Sequence, residues 1–262
     1  DILGDCNDNL ICHWVDPVAN IWQPMLVKDE DLQEHLDHGD FLGSCGSNPG
    51  ENFTYIPDAN FEQALIDGVN GVPIDSDGVI NKRVLTSDIS EVTELRMIGK
   101  SISDLTGIKD FKNLTNLNVI NNQLTSIDLS MNTLLVYLIF TNNQIENINL
   151  SKNTLLYQLV CDYNELTSLD LSNNPNLNIL YCTNNKLVSL DLSNNPNLVR
   201  LTCQVNMLNS LNVKNGNNSK ITNFRAYSNP DLDYITVDEP ISANAGIAPY
   251  DTWIKDATAT YN

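Results

Sequence analysis

Apolar and polar residues alternate in short stretches that return about every 21 residues along most of the chain. We number frame positions from the first leucine of each period. One full period begins Leu177-x-x-Leu180-x-Cys182-x-x-Asn185-x-Leu187. The same frame starts again at Leu114, Leu135, Leu156 and Leu198, with looser copies from Val92 and Ile221. Short alternating segments of this kind predict one parallel β-strand per period, with the leucines pointing inward.

Each period contains a second copy of the same pattern. Leu166-x-x-Leu169-x-Leu171-x-x-Asn174 has the spacing of Leu177 to Asn185. Only two residues separate Asn174 from Leu177, so no helix fits between the two copies. The sequence therefore predicts a flattened coil of about seven rungs. A parallel strand forms one side of each rung and a strand-like segment the other, and no rung buries its leucines alone.

One asparagine recurs at frame position nine, where the chain turns after each predicted strand. Its amide group can satisfy the backbone groups that the turn leaves free, so we predict a buried structural ladder. The ladder comprises Asn122, Asn143, Asn164, Asn185, Asn206 and Asn229.

The two ends of the chain depart from the period. We predict four segments: a small module and linker over 1–50, a cap over 51–91, repeats over 92–233, and a second cap over 234–262. In the first cap, Asp58 is the predicted N-cap of a helix that buries Phe61 and Leu65. In the second cap, a stretch predicted to cover the last rung contains Tyr250, Trp253 and Ile254.

All three histidines of the chain lie in the first module, at His13, His35 and His38. Two interpretations stay open there: a structural metal site that uses these imidazoles, or a Cys12–Cys45 disulfide beside them. Three further cysteines, one in each of three successive periods, are predicted to be buried small hydrophobes. They are Cys161, Cys182 and Cys203. No other metal or cofactor is predicted.

A short acidic stretch, Asp75-Ser76-Asp77-Gly78, resembles part of a calcium loop. Pro73 and Val84 occupy the places of the first and last ligands of such a loop, so a plain turn is the favoured interpretation. On the opposite side of the predicted coil, Asp128, Asp170 and Asp191 share one frame position, where carboxylates bind a cation or face water more often than they act as acid and base.

Charge and histidine placement narrow the function classes. Fourteen basic and 33 acidic residues give a net charge of -19, which disfavours nucleic acid and anionic membrane as partners. No apolar run approaches the ~20 residues that span a bilayer, so no membrane insertion is expected. Histidine is absent from Phe53 onward, so the repeats cannot supply a Ser-His or Cys-His pair. We predict a protein that is not an enzyme.

The cap sequence Ile-Pro-Asp-Ala-Asn-Phe-Glu-Gln-Ala-Leu, starting at Ile56, and the repeats resemble internalin-type leucine-rich-repeat proteins. The segment Leu-Thr-Ser-Leu-Asp-Leu-Ser-Asn-Asn-Pro-Asn-Leu, starting at Leu166, is similar to secreted repeat proteins of polysaccharide-degrading gliding bacteria. The resemblance covers about residues 53–240. It implies a β-dominated leucine-rich-repeat solenoid of the α/β horseshoe-type class and a secreted or cell-surface adhesion module. It carries no catalytic residues.

Candidate ligand-binding residues occupy the predicted outward positions of the strands on the first, concave, face. Aromatic, aliphatic and arginine side chains there are typical of interfaces, although β-forming residues on a solvated sheet give a similar pattern. The candidates are Tyr137, Ile139, Val160, Tyr181, Arg200, Thr202, Arg225 and Tyr227. We predict recognition of a protein partner through this face. The alternative is a carbohydrate-binding module attached to a polysaccharide-utilisation system.

Overall fold

The computed structural model describes the backbone of residues 8–16, 21–28, 41–42, 52–68 and 71–262. Apart from Lys28, side chains are described only in the last two of these ranges. Within the described chain no helix is long and apolar enough to cross a membrane.

The first module contains an antiparallel sheet of three strands, β1 (Asp8–Asp16), β2 (Ile21–Lys28) and β3 (Phe41–Leu42). Strand β1 lies in the middle, and the order is β2-β1-β3. The backbone of Cys12 and His13 lies in β1, but their side chains and all of His35, His38 and Cys45 lie outside the described residues. The metal site and the disulfide therefore both stay predictions.

The cap is built on a hairpin and a helix. Strands β4 (Phe53–Tyr55) and β5 (Arg83–Leu85) pair antiparallel, flanked by α1 (Ala59–Asp67) and the short α2 (Thr86–Ile89). Asp58 caps α1 as predicted, because its Oδ1 accepts the backbone N–H groups of Asn60 and Phe61 at 2.9 and 3.0 Å. Its Oδ2 accepts the backbone N–H of Ser103 at 2.8 Å, which ties the cap to the first rung.

Seven parallel strands form the first sheet, one strand per rung, in sequence order along the solenoid. The middle residue of each strand is buried and pairs in register with its neighbours, as Leu180 does with Leu159 and Leu201. The strands are β6 (Glu94–Arg96), β7 (Asn116–Asn118), β8 (Tyr137–Ile139), β9 (Gln158–Val160), β10 (Ile179–Tyr181), β12 (Arg200–Thr202) and β14 (Asn223–Arg225). A leucine-rich-repeat β-solenoid of about seven rungs with few helices is thus confirmed.

The opposite side of the coil is a sheet only in its C-terminal half. Four parallel strands pair there: β11 (Ser189–Asp191), β13 (Ser210–Asn212), β15 (Tyr234–Thr236) and β16 (Thr260–Tyr261). The corresponding residues of the earlier described rungs form no regular strand. The strand-like second side is therefore confirmed as strand only for the later rungs.

Two rows of buried asparagine run along the rungs. We call the turn that follows each first-sheet strand the first corner, and the turn before the next strand the second corner. Asn185, in a first corner, donates from Nδ2 to three carbonyls, and its Oδ1 accepts the backbone N–H of Leu166 at 3.0 Å. Asn174, in a second corner, donates from Nδ2 to the carbonyls of Leu150 and Asn153. Both rows are structural.

The C-terminal cap closes the last rung with aromatic rings. Trp253 stacks on Phe224 with centroids 4.1 Å apart, and Tyr250 meets Trp253 edge-on at 4.8 Å. The short helix α3 (Pro240–Asn244) precedes this cluster. Trp253 and Tyr250 are buried as predicted, but the prediction for Ile254 was wrong, since its side chain is 48% exposed. Ile254 extends the first sheet beside Arg225, so it points opposite to its inward neighbour Trp253.

Candidate recognition surface

The outward face of the first sheet presents two residues from each strand, one on either side of the buried middle residue. Seven of the eight candidate residues lie on these strands, and Tyr227 lies two residues beyond β14. Tyr137, Arg200 and Arg225 are exposed, and the other five are half-buried. The structure therefore places all eight along one sheet, on or just beyond the five successive strands β8, β9, β10, β12 and β14.

At the C-terminal end of this face, arginine and tyrosine come from three successive strands. The register aligns Tyr181, Thr202 and Arg225 in one row, and it places Arg200 in the adjacent row. Strands lie about 4.8 Å apart, so Tyr181 and Arg225 stand about 10 Å apart. Within residues 52–68 and 71–262, no carboxylate forms an ion pair with Arg200 or Arg225. These two guanidinium groups are available to an external anionic group.

On the middle strands β8 and β9 the face is apolar. Tyr137 is 40% exposed, and Ile139 and Val160 are half-buried beside it. The ring of Tyr157 meets that of Tyr137 at 6.1 Å in an edge-on arrangement with an interplanar angle of 65°. Tyr157 stands one residue before β9, outside the strand positions that the sequence pattern singled out.

The exposed apolar surface continues from these tyrosines into the second corner. Leu134 and Leu155 occupy frame position 21 of successive rungs and are 40% and 44% exposed, and Met131 is 49% exposed. We call Met131, Leu134, Tyr137, Leu155 and Tyr157 the apolar corner. The alternation along the strands does not point to its turn residues, because they lie between strands. The available signal was Asn-Thr-Leu-Leu from Asn132 and Asn153, where later rungs have Asn-Pro-Asn-Leu.

Polar side chains line the edge of the first face, just beyond the ends of strands β9 and β10. Asp162, just after β9, accepts the backbone N–H of Thr183 at 2.6 Å, and burial raises the pKa of its carboxyl group. The hydroxyl of Thr183 in turn lies 3.3 Å from that of Thr202. The apolar middle strands and the arginine-bearing C-terminal strands therefore present different chemistry to a partner and meet where Val160 pairs with Tyr181.

The aspartates of the second side act as turn acceptors. Asp128, Asp170 and Asp191 each accept the backbone N–H of the serine two residues later, at 2.9–3.0 Å. At the same frame position, Asn149 accepts the backbone N–H of Ser151 and Asn212 accepts that of Lys214, both at 3.0 Å. Hydrogen bonds from Ser130 and Ser172 lower the pKa of Asp128 and Asp170, whereas a general acid needs a raised pKa. This row therefore stabilises turns.

The loop that resembles a calcium site is bound to the cap. Asp77 accepts the backbone N–H of Val79 at 2.8 Å, and Glu62 accepts the N–H groups of residues 81–83. Asp75 is buried, and burial together with the charge of Asp77 raises its pKa to about 6. Among the residues with described side chains, no group of three or more His, Cys, Asp and Glu has a geometry that could hold a metal ion. The contacts are those of a turn.

Three cysteines stack in successive rungs, as predicted. Cys161, Cys182 and Cys203 are free thiols and fully buried. The Sγ of Cys161 lies 3.4 Å from the carbonyl of Tyr181 in the next rung, and burial raises the pKa of all three thiols. They fill the core at frame position six and are inaccessible to reagents.

Comparison with known proteins supports the fold. No protein-family model and no curated protein matches the chain. A solved structure from Listeria monocytogenes, the functional domain of InlJ, which includes a cysteine ladder, is 25% identical with a TM-score of 0.54. The match covers 71% of this chain and 52% of that domain, so the chain spans about half of the domain's length.

Two further solved structures from Listeria monocytogenes have the same fold. The internalin inlF is 22% identical with a TM-score of 0.52, covering 79% of this chain and 71% of its own. The internalin C2 is 19% identical with a TM-score of 0.58, covering 79% and 95%. These likenesses show that the chain has the leucine-rich-repeat fold of bacterial internalins.

Proposed function

We propose that this chain is a non-catalytic recognition module that binds a protein partner through the outward face of the first sheet. A secreted or cell-surface location is part of the proposal. The fold of the internalin structures supports it, and so does the sequence resemblance to secreted repeat proteins.

The observation that carries the proposal is the pair of arginines without a carboxylate partner. A protein of net charge -19 has many carboxylates available, yet none in the described chain pairs with Arg200 or Arg225. Arginine and tyrosine on adjacent strands supply planar donors and large contact area at low entropic cost. Such residues dominate the binding energy of protein interfaces.

The arrangement of the exposed rings favours protein over polysaccharide. A flat sugar ring stacks best on coplanar aromatic rings. Tyr137 and Tyr157 instead meet at an interplanar angle of 65°, and Tyr181 is only half exposed. Leucine, isoleucine and valine beside them add surface that suits apolar side chains of a protein.

The test is a protein array of extracellular proteins probed beside a glycan array, followed by titration of the identified ligand. We expect a protein ligand whose affinity falls by about 1–3 kcal/mol in Arg200→Ala and in Tyr181→Ala, with no change in melting temperature. The matched control is Arg96→Ala, because Arg96 is exposed on β6 in the row that Tyr181 and Arg225 share. Equal weakening by Arg96→Ala, or a ligand found only on the glycan array, would contradict the proposal.

A further inference from the structure

A row of hydrogen bonds starts from the residue just before the first leucine of a rung, which is frame position 21 in the regular rungs. Two rungs lack this hydrogen bond. Asparagine there donates from Nδ2 to a backbone carbonyl of the preceding rung. Asn113 reaches Ser90 at 2.8 Å, Asn176 reaches Thr154 at 3.2 Å, and Asn197 reaches Pro175 at 3.1 Å. Leu134 and Leu155 interrupt the row. The fold accepts asparagine at this corner, so it does not require an exposed leucine there.

The two leucines do not stand alone. Adjacent rungs lie about 4.8 Å apart, which places Leu134 beside Leu155. With Met131, Tyr137 and Tyr157 they form the apolar corner, in which every member is 39–49% exposed. Single exposed apolar side chains are ordinary, but a contiguous group spanning three rungs marks an interaction site. Tyrosine within it adds contact area of the kind found at binding hot spots.

The turn that carries Lys152 is positively charged, because Asn149 stands two residues before that turn, where the neighbouring rungs have Asp128 and Asp170. The second-corner turns 109–113, 130–134, 151–155, 172–176 and 193–197 together contain three lysines and one acidic residue. The acid, Asp110, accepts a hydrogen bond from Thr54 at 3.0 Å and lies 3.8 Å from Lys112. Lys152 forms no ion pair within the described chain. Its charge is therefore available to a partner.

We propose that the apolar corner docks a segment of a partner protein that presents apolar side chains flanked by carboxylates. The apolar side chains cover Leu134, Leu155 and Tyr157, and a carboxylate pairs with Lys152. On a chain of net charge -19, the positive turn at Lys152 also orients an acidic segment toward this corner. The inference rests on the proposed protein-recognition function but uses residues distinct from Arg200 and Arg225. The experiments can therefore contradict the inference without contradicting the proposed function, and the reverse.

Neighbouring rungs suggest a variant that removes the exposed leucines of the apolar corner and keeps the fold. Leu134→Asn with Leu155→Asn introduces the residue that neighbouring rungs already use at this position. The carbonyls of Lys112 and Thr133 hold the repeat positions of the acceptors Thr154 and Pro175, so we expect them to accept from the new Nδ2 groups. A second variant, Tyr157→Asn, copies Asn178 of the next rung, whose Nδ2 donates to the carbonyl of Asn197 at 2.8 Å.

The probe is a phage-displayed library of random dodecapeptides, selected on the intact chain and counter-selected on Leu134→Asn/Leu155→Asn. Enriched peptides are synthesised and titrated by fluorescence anisotropy. We expect them to combine Leu, Phe, Tyr or Trp with Asp or Glu, and to bind the double variant and Tyr157→Asn about ten-fold or more weakly. Lys152→Gln should weaken binding by about two-fold to five-fold, and added salt should reduce that difference.

One control separates this corner from other exposed surfaces. Ile241→Ser removes an isoleucine that is 86% exposed on α3 at the far end and should leave peptide affinity unchanged. Peptides that are neutral or basic, or that bind the double variant equally well, would overturn the inference. So would a wild-type chain that dimerises in sedimentation while the double variant stays monomeric, because the corner would then bind a second copy.

Discussion

The two corners of each rung are held in different ways. In the first corner, the residue at frame position eight has a positive φ near 57° in successive rungs. The asparagine that follows it forms hydrogen bonds through both Nδ2 and Oδ1, as Asn185 does. The positive-φ residues are Asn121, Asn142, Tyr163, Asn184, Val205 and Ser228. In the second corner the buried asparagine uses its Nδ2 alone. No donor from the described residues reaches the Oδ1 of Asn132, Asn153, Asn174 or Asn195.

This difference decides what sequence variation at each corner means. The left-handed backbone of the first corner suits asparagine or glycine, so Val205 there costs folding free energy. The two positions that follow the buried asparagine of the second corner are Thr-Leu in some rungs and Pro-Asn in others. The strand register is the same in both cases. Substitution at these two positions is therefore nearly free for the fold, and its pattern carries information about ligands.

The largest expected effect compares the two buried asparagine rows. Asn185→Ala removes hydrogen bonds to three carbonyls and leaves the backbone N–H of Leu166 without an acceptor, whereas Asn174→Ala removes hydrogen bonds to two carbonyls. All five carbonyls keep a second donor, so each of these lost hydrogen bonds costs about 0.5–1.5 kcal/mol, and the unsatisfied N–H adds about 1–3 kcal/mol. We expect losses of about 3–5 kcal/mol for Asn185→Ala and about 1–3 kcal/mol for Asn174→Ala, measured by urea unfolding. Equal losses would show that the two corners are held alike.

An effect of intermediate size, a gain in stability, is expected from relieving the backbone strain in the first corner. Val205 is β-branched at φ 57°, and its side chain is 43% exposed, so few packing contacts compensate. Val205→Asn should raise the free energy of unfolding by about 1 kcal/mol, because asparagine tolerates the left-handed region. The reverse change at the same frame position, Asn184→Val, should lose a similar amount. If thermal unfolding shows no change in either variant, the backbone there is unstrained.

The smallest expected effect is in the second corner. Leu155→Asn removes a side chain that is 44% exposed and supplies a donor to the carbonyl of Thr133, so stability should change by less than about 0.5 kcal/mol in urea unfolding. Asn176→Leu, the reverse change one rung later, loses a bond of 3.2 Å to Thr154 and should cost about 0.5–1 kcal/mol. A loss of several times that size in Leu155→Asn would mean that the fold itself needs this leucine.

The sequence by itself determined the solenoid. A constant period with leucine at fixed places leaves one arrangement in which every rung buries its apolar side chains, and Leu180, Cys182 and Asn185 are buried as the period predicts. Local sequence was also sufficient to predict that Asp58 caps α1, because an N-cap depends only on neighbouring backbone N–H groups. The outward strand positions, from Tyr137 to Arg225, follow from the same alternation.

Only the tertiary structure decided which exposed residues meet. Ile254 was predicted to be buried, but pairing with β14 turned its side chain outward. Asp128 and Asp170 looked like free carboxylates, and their turns give each of them a backbone partner. Leu134 and Leu155 lie one full period apart in the sequence and become neighbours only because rungs stack. Side-chain direction in a turn depends on its backbone angles and on the rung beside it, and a period of apolar residues specifies neither.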